Sequence, residues 1–179
     1  MSIQVTPFES KILDYTFKEI GKAELLNYRA DVVELYRDLI NHLRNSPIFY
    51  HCKYFLPIEN RFADFLSDNM RVFAVFDGNK LIGMVNAALP DKGFAIDDKE
   101  AMSLGDLFVA PEYRRKGIGI ALLDFANNEL KESEIKRIFV THGTINPTAR
   151  GFWDKFFQNY SFTMTRQIDP NMLGIINPV

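Results

Sequence analysis

The sequence predicts an α+β domain built on a single mixed β-sheet flanked by helices. Three observations lead there. Apolar residues recur at helical spacing through the first half, β-rich runs joined by a hairpin-length connection fill the middle, and strand-like and helix-like patterns alternate in the last third. A chain of this length buries roughly 70% of the surface its unfolded form exposes, so its core needs neither disulfides nor metal. The 16 Phe are spread from end to end, as one continuous core requires. Residues 15–170 are expected to form the domain, with 1–14 an N-terminal extension or edge strand and 171–179 a C-terminal tail.

Taken in order, Tyr15 to Ile20 is expected as a short strand stopped by Gly21. From Ala30 the positions Val33, Leu35, Tyr36, Leu39, Ile40 and Leu43 trace one face of a helix that Ser46-Pro47 stops. An aromatic stretch follows (Ile48, Phe49, Tyr50, Tyr54, Phe55), then a second short helix over Pro57 to Leu66. Arg71 to Phe76 and Leu81 to Val85 are β-rich, and Asp77-Gly78-Asn79-Lys80 joins them as a hairpin. A third strand runs from Met102 to Val109 and ends before Pro111.

Ile118, Leu122, Phe125, Ala126 and Leu130 then fall on one helical face. Ile135 to Thr141 reads as a buried strand. Asn146-Pro147 starts a helix, with Asn as N-cap and Pro at the first helical position, and Ala149, Phe152, Trp153 and Phe156 trace its apolar side. Phe162 to Ile168 is expected as the closing strand.

Charge and cysteine usage narrow the function. Lys and Arg total 21 against 23 Asp and Glu, for a net charge of −2, so no broad positive face exists for nucleic acid. Cys52 is the only cysteine, which excludes an internal disulfide and a cysteine-based zinc site; no metal is expected. The first residues have neither a basic start nor an apolar h-region. The best apolar run, Leu81 to Leu89, is short and interrupted by Asn86, far from the ~20 residues of a membrane span. A cytoplasmic protein that engages no membrane is expected.

The informative segment is Val109-Ala110-Pro111-Glu112-Tyr113-Arg114-Arg115-Lys116-Gly117-Ile118-Gly119-Ile120. A strand ends, three cations follow, and two glycines open an amphipathic helix. Glycine inside a helix costs up to ~1 kcal/mol relative to alanine, so two in the first turn call for a reason. Without Cβ atoms there, an outside group can approach the backbone N–H groups of residues 116 to 120, which carry about half a positive charge from the helix dipole. A pyrophosphate fits that site, surrounded by Arg114, Arg115 and Lys116. Each charge-assisted hydrogen bond contributes roughly 1.5–3 kcal/mol, so a few suffice to anchor a nucleotide-like ligand. Taken alone, the segment could equally be a solvated turn. No third glycine follows at the dinucleotide-fold spacing, where Leu122 stands, and no Gly-Lys-Ser/Thr is present.

Val109-x-Pro111-x-x-Arg114-x-x-Gly117-x-Gly119 resembles the acetyl-coenzyme A signature of the GNAT superfamily of N-acetyltransferases. Asp106 to Val109 before it, and Asn146-x-x-Ala149-x-x-Phe152-Trp153 after it, stand where that family has matching segments. The resemblance implies an acyl-CoA N-acetyltransferase fold in which two central parallel strands, here Met102–Val109 and Ile135–Thr141, splay apart. It places the pantetheine arm of acetyl-CoA against the main chain of Leu107, Phe108 and Val109, with the Val109 N–H as oxyanion donor. It gives the pyrophosphate to Arg115, Lys116, Gly117, Ile118, Gly119 and Ile120, with Arg114 holding the loop. Asn146 would bond the pantetheine, a role compatible with its N-cap.

Two departures from the family bear on catalysis. Trp153 stands where many members have a Tyr that protonates the departing sulfur, and Leu104-Gly105-Asp106 replaces a Leu-Glu-Asp whose Glu is sometimes the base. A thiol leaves with a pKa near 8.5, so its anion is tolerable without an acid, whereas presenting a lysine-like amine neutral at pH 7 costs ~4.6 kcal/mol. The base is the harder role to leave empty. Asp106, acting through a water, and His142 are the two candidates. The expected activity is acetyl transfer from acetyl-CoA to a primary amine of a small molecule or peptide. The alternatives are a catalytically impaired CoA-binding module and an interaction domain with no cofactor. In the family the acceptor site is shaped by the first helices and the loop before the third strand, here Ile48 to Phe55 and Pro90 to Glu100 with Asp91, Asp97, Asp98 and Glu100. Acidic residues there would suit a cationic amine. A homodimer, common in the family, is compatible with the 13% aromatic content.

Overall fold

The computed structural model describes residues 1–4, 6–9, 14–44, 58–90, 98–143 and 146–162. Seven strands form one sheet among them: β1 (Ser2–Gln4), β2 (Thr16–Glu19), β3 (Met70–Asp77), β4 (Lys80–Ala88), β5 (Ala101–Val109), β6 (Arg137–Val140) and β7 (Phe157–Asn159). Their order across the sheet is β2-β3-β4-β5-β6-β1-β7. Every neighbouring pair is antiparallel except β5 and β6. The helices are α1 (Lys22–Leu25), α2 (Arg29–Arg44), α3 (Ile58–Asp64), α4 (Ile118–Glu132) and α5 (Pro147–Trp153).

The expected elements recur with shifted ends. The hairpin is tighter than its four-residue signal, because Asp77 pairs with Lys80 and leaves only Gly78-Asn79 to turn, with Gly78 at φ +57°. α2 begins at Arg29, one residue before the expected start, because a 3₁₀ turn at Leu26–Tyr28 leads into it from α1. The second helix stops at Asp64, and Phe65 and Leu66 complete it as tight turns onto the carbonyls of Phe62 and Ala63. Pro57 and the aromatic stretch from Ile48 to Phe55 lie outside the described residues.

Two expectations are corrected. The apolar helix face expected to run through Phe156 gives way to a strand at Phe157–Asn159; of the strand expected over Phe162 to Ile168 only Phe162 is described, 70% exposed, and residues 163–168 lie outside the described residues. The pattern misled because Phe156, assigned to the apolar face of α5, follows the end of that helix, and Phe156 and Phe157 enter the core from a turn and a strand. Both rings pack on Phe8, at centroid distances of 5.0 and 6.0 Å. The N-terminal segment is not an edge: β1 is hydrogen-bonded on both sides, to β6 and to β7. Three residues are too few to show a period, and only long-range pairing reveals them.

Side chains from the two faces of the sheet build two cores. On one face Ile82, Val85, Leu104, Ile118, Leu122, Ala126, Leu130 and Trp153 bring α4 and α5 onto the sheet. On the other, Leu25, Val32, Leu35, Tyr36, Ile40, Phe62, Met84 and Phe108 bring α1, α2 and α3 onto it. The central strands are buried on both sides, so β3 and β4 read as nearly unbroken apolar runs.

Candidate active site

The site is made where β5 loses its neighbour. β5 and β6 pair only from Ala101 with Arg137 to Leu104 with Val140, and β6 ends there. β5 continues to Val109 with β4 on one side only. The backbone orientation of that free stretch follows from two contacts. Ala110 donates its N–H to the Ile82 carbonyl at 2.8 Å, and the Phe108 carbonyl lies against Gly83. Residues 108 and 110 therefore direct their polar groups at β4, and by alternation Leu107 and Val109 direct theirs at the open edge. The Val109 carbonyl is taken by Arg114 Nε at 2.8 Å, which ties the following loop to the end of the strand.

That loop has the form of an anion cradle. Arg115 (φ +65°) and Gly117 (φ +85°) both adopt the left-handed conformation, flanking Lys116. Such alternation turns successive N–H groups to one side. Gly117 caps α4, and Ile120 and Ala121 donate to its carbonyl at 3.1 and 3.0 Å. Among the described residues no backbone carbonyl accepts from the N–H groups of Arg115, Lys116 or Gly117, and Ile118 and Gly119 open the helix with theirs free of it. An added Cβ at Gly117 would touch nothing within 4 Å, and one at Gly119 only Leu107 Cδ2 at 4.0 Å, so the approach is open. Arg115 and Lys116 are exposed beside it, Lys116 Nζ lying 5.1 Å from the Tyr113 ring centre. An anion of pyrophosphate kind fits this loop on geometry and charge.

Across the gap, Asn146 caps α5: its Oδ1 accepts from the N–H groups of Thr148 and Ala149 at 3.1 and 3.2 Å, and the side chain is buried. Trp153 is a core residue, stacked edge-on against Phe152 and Phe157 at 4.9 and 5.5 Å. The indole fills volume at the position where a phenol had been the comparison.

Asp106 owes its direction to a β-bulge. Val85 pairs with Leu107 but Ala87 with Leu104, so Gly105 and Asp106 together oppose Asn86. Met102, Leu104, Leu107 and Val109 pack with the α4 core while Phe108 packs with the α2 core, a parity switch that strict alternation from Leu104 forbids. Asp106 accordingly shares the α2 face, where Tyr36, Arg61 and Asp64 are its charged and titratable neighbours. Arg61 Nε donates to Tyr36 Oη at 3.0 Å, and its Nη1 pairs with Asp64 at 3.0 Å. Burial raises the Asp106 carboxyl above its usual range, with Arg61 opposing and Asp64 adding to the rise.

His142 is not brought to this group. It lies just past β6 with its side chain buried, and among the described residues Nδ1 meets no hydrogen-bond partner of good geometry. Its charged neighbours are Asp154, 3.9 Å from Nε2, and the N-terminal amine. Burial holds its imidazole below the ordinary value. Of the acidic residues before β5, Asp98 is paired with Arg137, and Glu100 with Arg137 at 3.1 Å and Lys136 at 2.7 Å; they brace the parallel pair. Asp91 and Asp97 lie outside the described residues. Sequence reasoning missed Tyr36, Arg61 and Asn86. Only Asn86 left a signal, as the polar residue that interrupts the apolar run Leu81 to Leu89.

A strand edge left open at the centre of a sheet, leading directly into an anion cradle, defines a transferase built to hold a long thioester carrier. The chain belongs to the acetyltransferase (GNAT) family, whose model matches residues 33–157, and it is an N-acetyltransferase of the acetyl-CoA-dependent kind. No curated protein sequence is detectably similar to it. Among solved structures it is similar to an aminoglycoside acetyltransferase from an uncultured soil metagenomic sample in complex with trehalose, at 16% identity over 86% of this chain and 97% of that one, TM-score 0.60. The PaiA N-acetyltransferase of Thermoplasma acidophilum in complex with coenzyme A gives 17% identity over 80% and 88%, TM-score 0.56. The ribosomal-protein-S18-alanine N-acetyltransferase of Escherichia coli gives 16% over 79% and 75%, TM-score 0.54. At these identities the likeness is one of fold. Among the described residues no helix is long and apolar enough to cross a membrane.

Proposed function

We propose that the protein transfers the acetyl group of acetyl-CoA to the primary amine of a small molecule or peptide by direct attack, with Asp106 as base. The observation that carries this is the continuity of the open β5 edge with the cradle at Arg115–Ile120. In this reading the cradle N–H groups and the side chains of Arg115 and Lys116 take the diphosphate, while Arg114 keeps the loop in place. Leu107 pairs with a pantetheine amide as an added strand would, Phe108 follows it in the same stretch with its polar groups on β4, the Val109 N–H is left for the reacting carbonyl, and the Asn146 Nδ2, whose Oδ1 is spent on the helix cap, donates to a pantetheine carbonyl.

The chemistry then needs two groups. Asp106, directly or through a water, takes a proton from the ammonium so that the neutral nitrogen bonds to the acetyl carbon; the Val109 N–H receives the oxyanion; collapse breaks the C–S bond and releases a thiolate, which takes up the second proton lost by the nitrogen. Burial of Asp106 suits it to the task, because a raised carboxyl is a stronger base once ionised. With Trp153 in the core, the thiolate leaves without a protein acid, which its pKa near 8.5 permits. Asp106 and Asp64 outnumber Arg61 on the α2 face, so the acceptor side favours a cation, as an aminoglycoside or a lysine-like amine is.

The test is release of free thiol. Thiol should appear only when acetyl-CoA and an amine are both present, and it should be lost in Asp106→Asn. CoA should raise the melting temperature of the wild type and not of Gly117→Glu. Binding of CoA without turnover on a broad amine panel would overturn the catalytic reading and leave a binding module.

A further inference from the structure

Asn86 is a buried amide, only 7% exposed, in a strand whose other residues after Lys80 are all apolar or glycine. Burying an amide there is costly unless its hydrogen bonds are used. One of them is: Asn86 Oδ1 accepts from the Asp106 backbone N–H at 2.9 Å. Its Nδ2 meets only the Met70 sulfur, at 3.1 Å, a weak acceptor. The opposite residue is fitted to it. A Cβ built on Gly105 would lie 2.3 Å from Asn86 Nδ2, so the amide occupies the space that any other residue at 105 would fill. The amide as seated therefore needs a residue without Cβ at 105, and it fills the bulge from which Asp106 turns onto the α2 face.

A glutamate at position 105 would have to push the Asn86 amide from this seat. An apolar residue at 86 would leave the Asp106 N–H without its acceptor, so the hydrogen bond that holds the bulge would be gone, and straight pairing would return Asp106 to the α4 face, with Leu104.

We propose that Asn86 is a positioning residue for acetyl transfer: seated over Gly105, it locks the β5 bulge and so aims the Asp106 carboxylate at the acceptor face beside Tyr36, Arg61 and Asp64. The inference rests on Asp106 being the base. A misplacement of about 1 Å in a reacting group costs on the order of a hundredfold in rate, so the effect is large enough to measure.

The experiment compares Asn86→Leu, which keeps the side-chain shape without its oxygen, with the wild type, Asp106→Asn and the double variant. In folded N86L, kcat should fall about tenfold or more while KM for acetyl-CoA stays within about twofold. The Asp106 carboxyl, followed by carbon NMR, should titrate closer to the ordinary carboxylate range, and the acidic limb of kcat should move with it. The double variant should be no slower than D106N. Unchanged kcat and an unmoved Asp106 titration in folded N86L overturn the inference. Should N86L not fold, Gly105→Ala displaces the same amide and is judged by the same readouts. Full activity in D106N sinks the base assignment separately; a shifted Asp106 titration in N86L then still supports the hold of Asn86 on the bulge, and an unshifted one overturns it.

Discussion

Asp106 places stability and activity in opposition. Its carboxyl is raised by burial, so the native state binds its proton more tightly than the unfolded chain does. The sign follows: the charged form costs stability above the folded value, and the cost vanishes once pH falls below the unfolded value. Asp106→Asn should therefore raise the melting temperature at pH 7, with the gain shrinking as the pH approaches the ordinary carboxylate range, while kcat falls roughly 10²–10⁴-fold. Thermal melts across pH, beside thiol-release assays, check both halves. His142 behaves in the reverse sense. Its lowered imidazole disfavours the proton in the folded state, so stability is intact above the unfolded value of 6.5 and declines as pH falls from there toward the folded one. His142→Gln should flatten the melting temperature between pH 7 and 5, since the substitution removes a buried group that must charge.

At the scale of elements, the start of α4 is strained on purpose. Arg115 holds φ +65° with a full side chain, a conformation that costs about 1–2 kcal/mol outside glycine. Arg115→Gly should stabilise the ligand-free protein by about 0.5–1 kcal/mol in a denaturant titration, because glycine's own flexibility offsets part of the relief. The same variant should weaken CoA binding, through the lost cation, as measured by calorimetry. Gly117 is the converse case. A Cβ there meets no atom within 4 Å, so Gly117→Ala costs only its backbone strain at φ +85°, about 1–2 kcal/mol. Space is not what glycine provides at 117; conformation is.

Across the whole molecule, β1 completes the sheet between β6 and β7, and in the proposed reading a bound carrier extends it along β5. A carrier bound along β5 should slow amide exchange at Leu107, Val109 and Arg115 to Ile120, and at a hundredfold excess over Kd it should add about 2.7 kcal/mol of stability. Protection confined to other segments would contradict the assignment. β1 joins β6 to β7, and the Met1 amine donates to the Ser161 carbonyl at 2.7 Å, so deleting residues 1–4 should detach β7 and lower the melting temperature without touching the cradle. Trp153 belongs to this scale as well. Trp153→Tyr places a smaller ring with a hydroxyl between Phe152 and Phe157; it should cost about 1–3 kcal/mol and leave kcat no higher than that of the wild type.

What the sequence alone settled were features with a local cause. The Gly-Asn turn, the Asn146 N-cap, the amphipathic face of α4 and the Pro-x-x-Arg-x-x-Gly-x-Gly loop are each dictated within a few residues by backbone sterics or hydrogen-bonding chemistry, and they sufficed for the fold class. The tertiary structure decided whatever depended on a distant partner. β1 and β7 are three residues each and exist because they pair with one another and with β6. Asp106 was readable as a carboxylate, but its face was not: alternation counts residues along one strand, and the extra residue in β5 is visible only against Asn86, 20 positions earlier in the chain. The acidic stretch before β5 looked like an acceptor wall in one dimension, and in three its Asp98 and Glu100 are spent on Arg137 and Lys136. Local rules fix what a residue can do, and long-range pairing fixes where it does it.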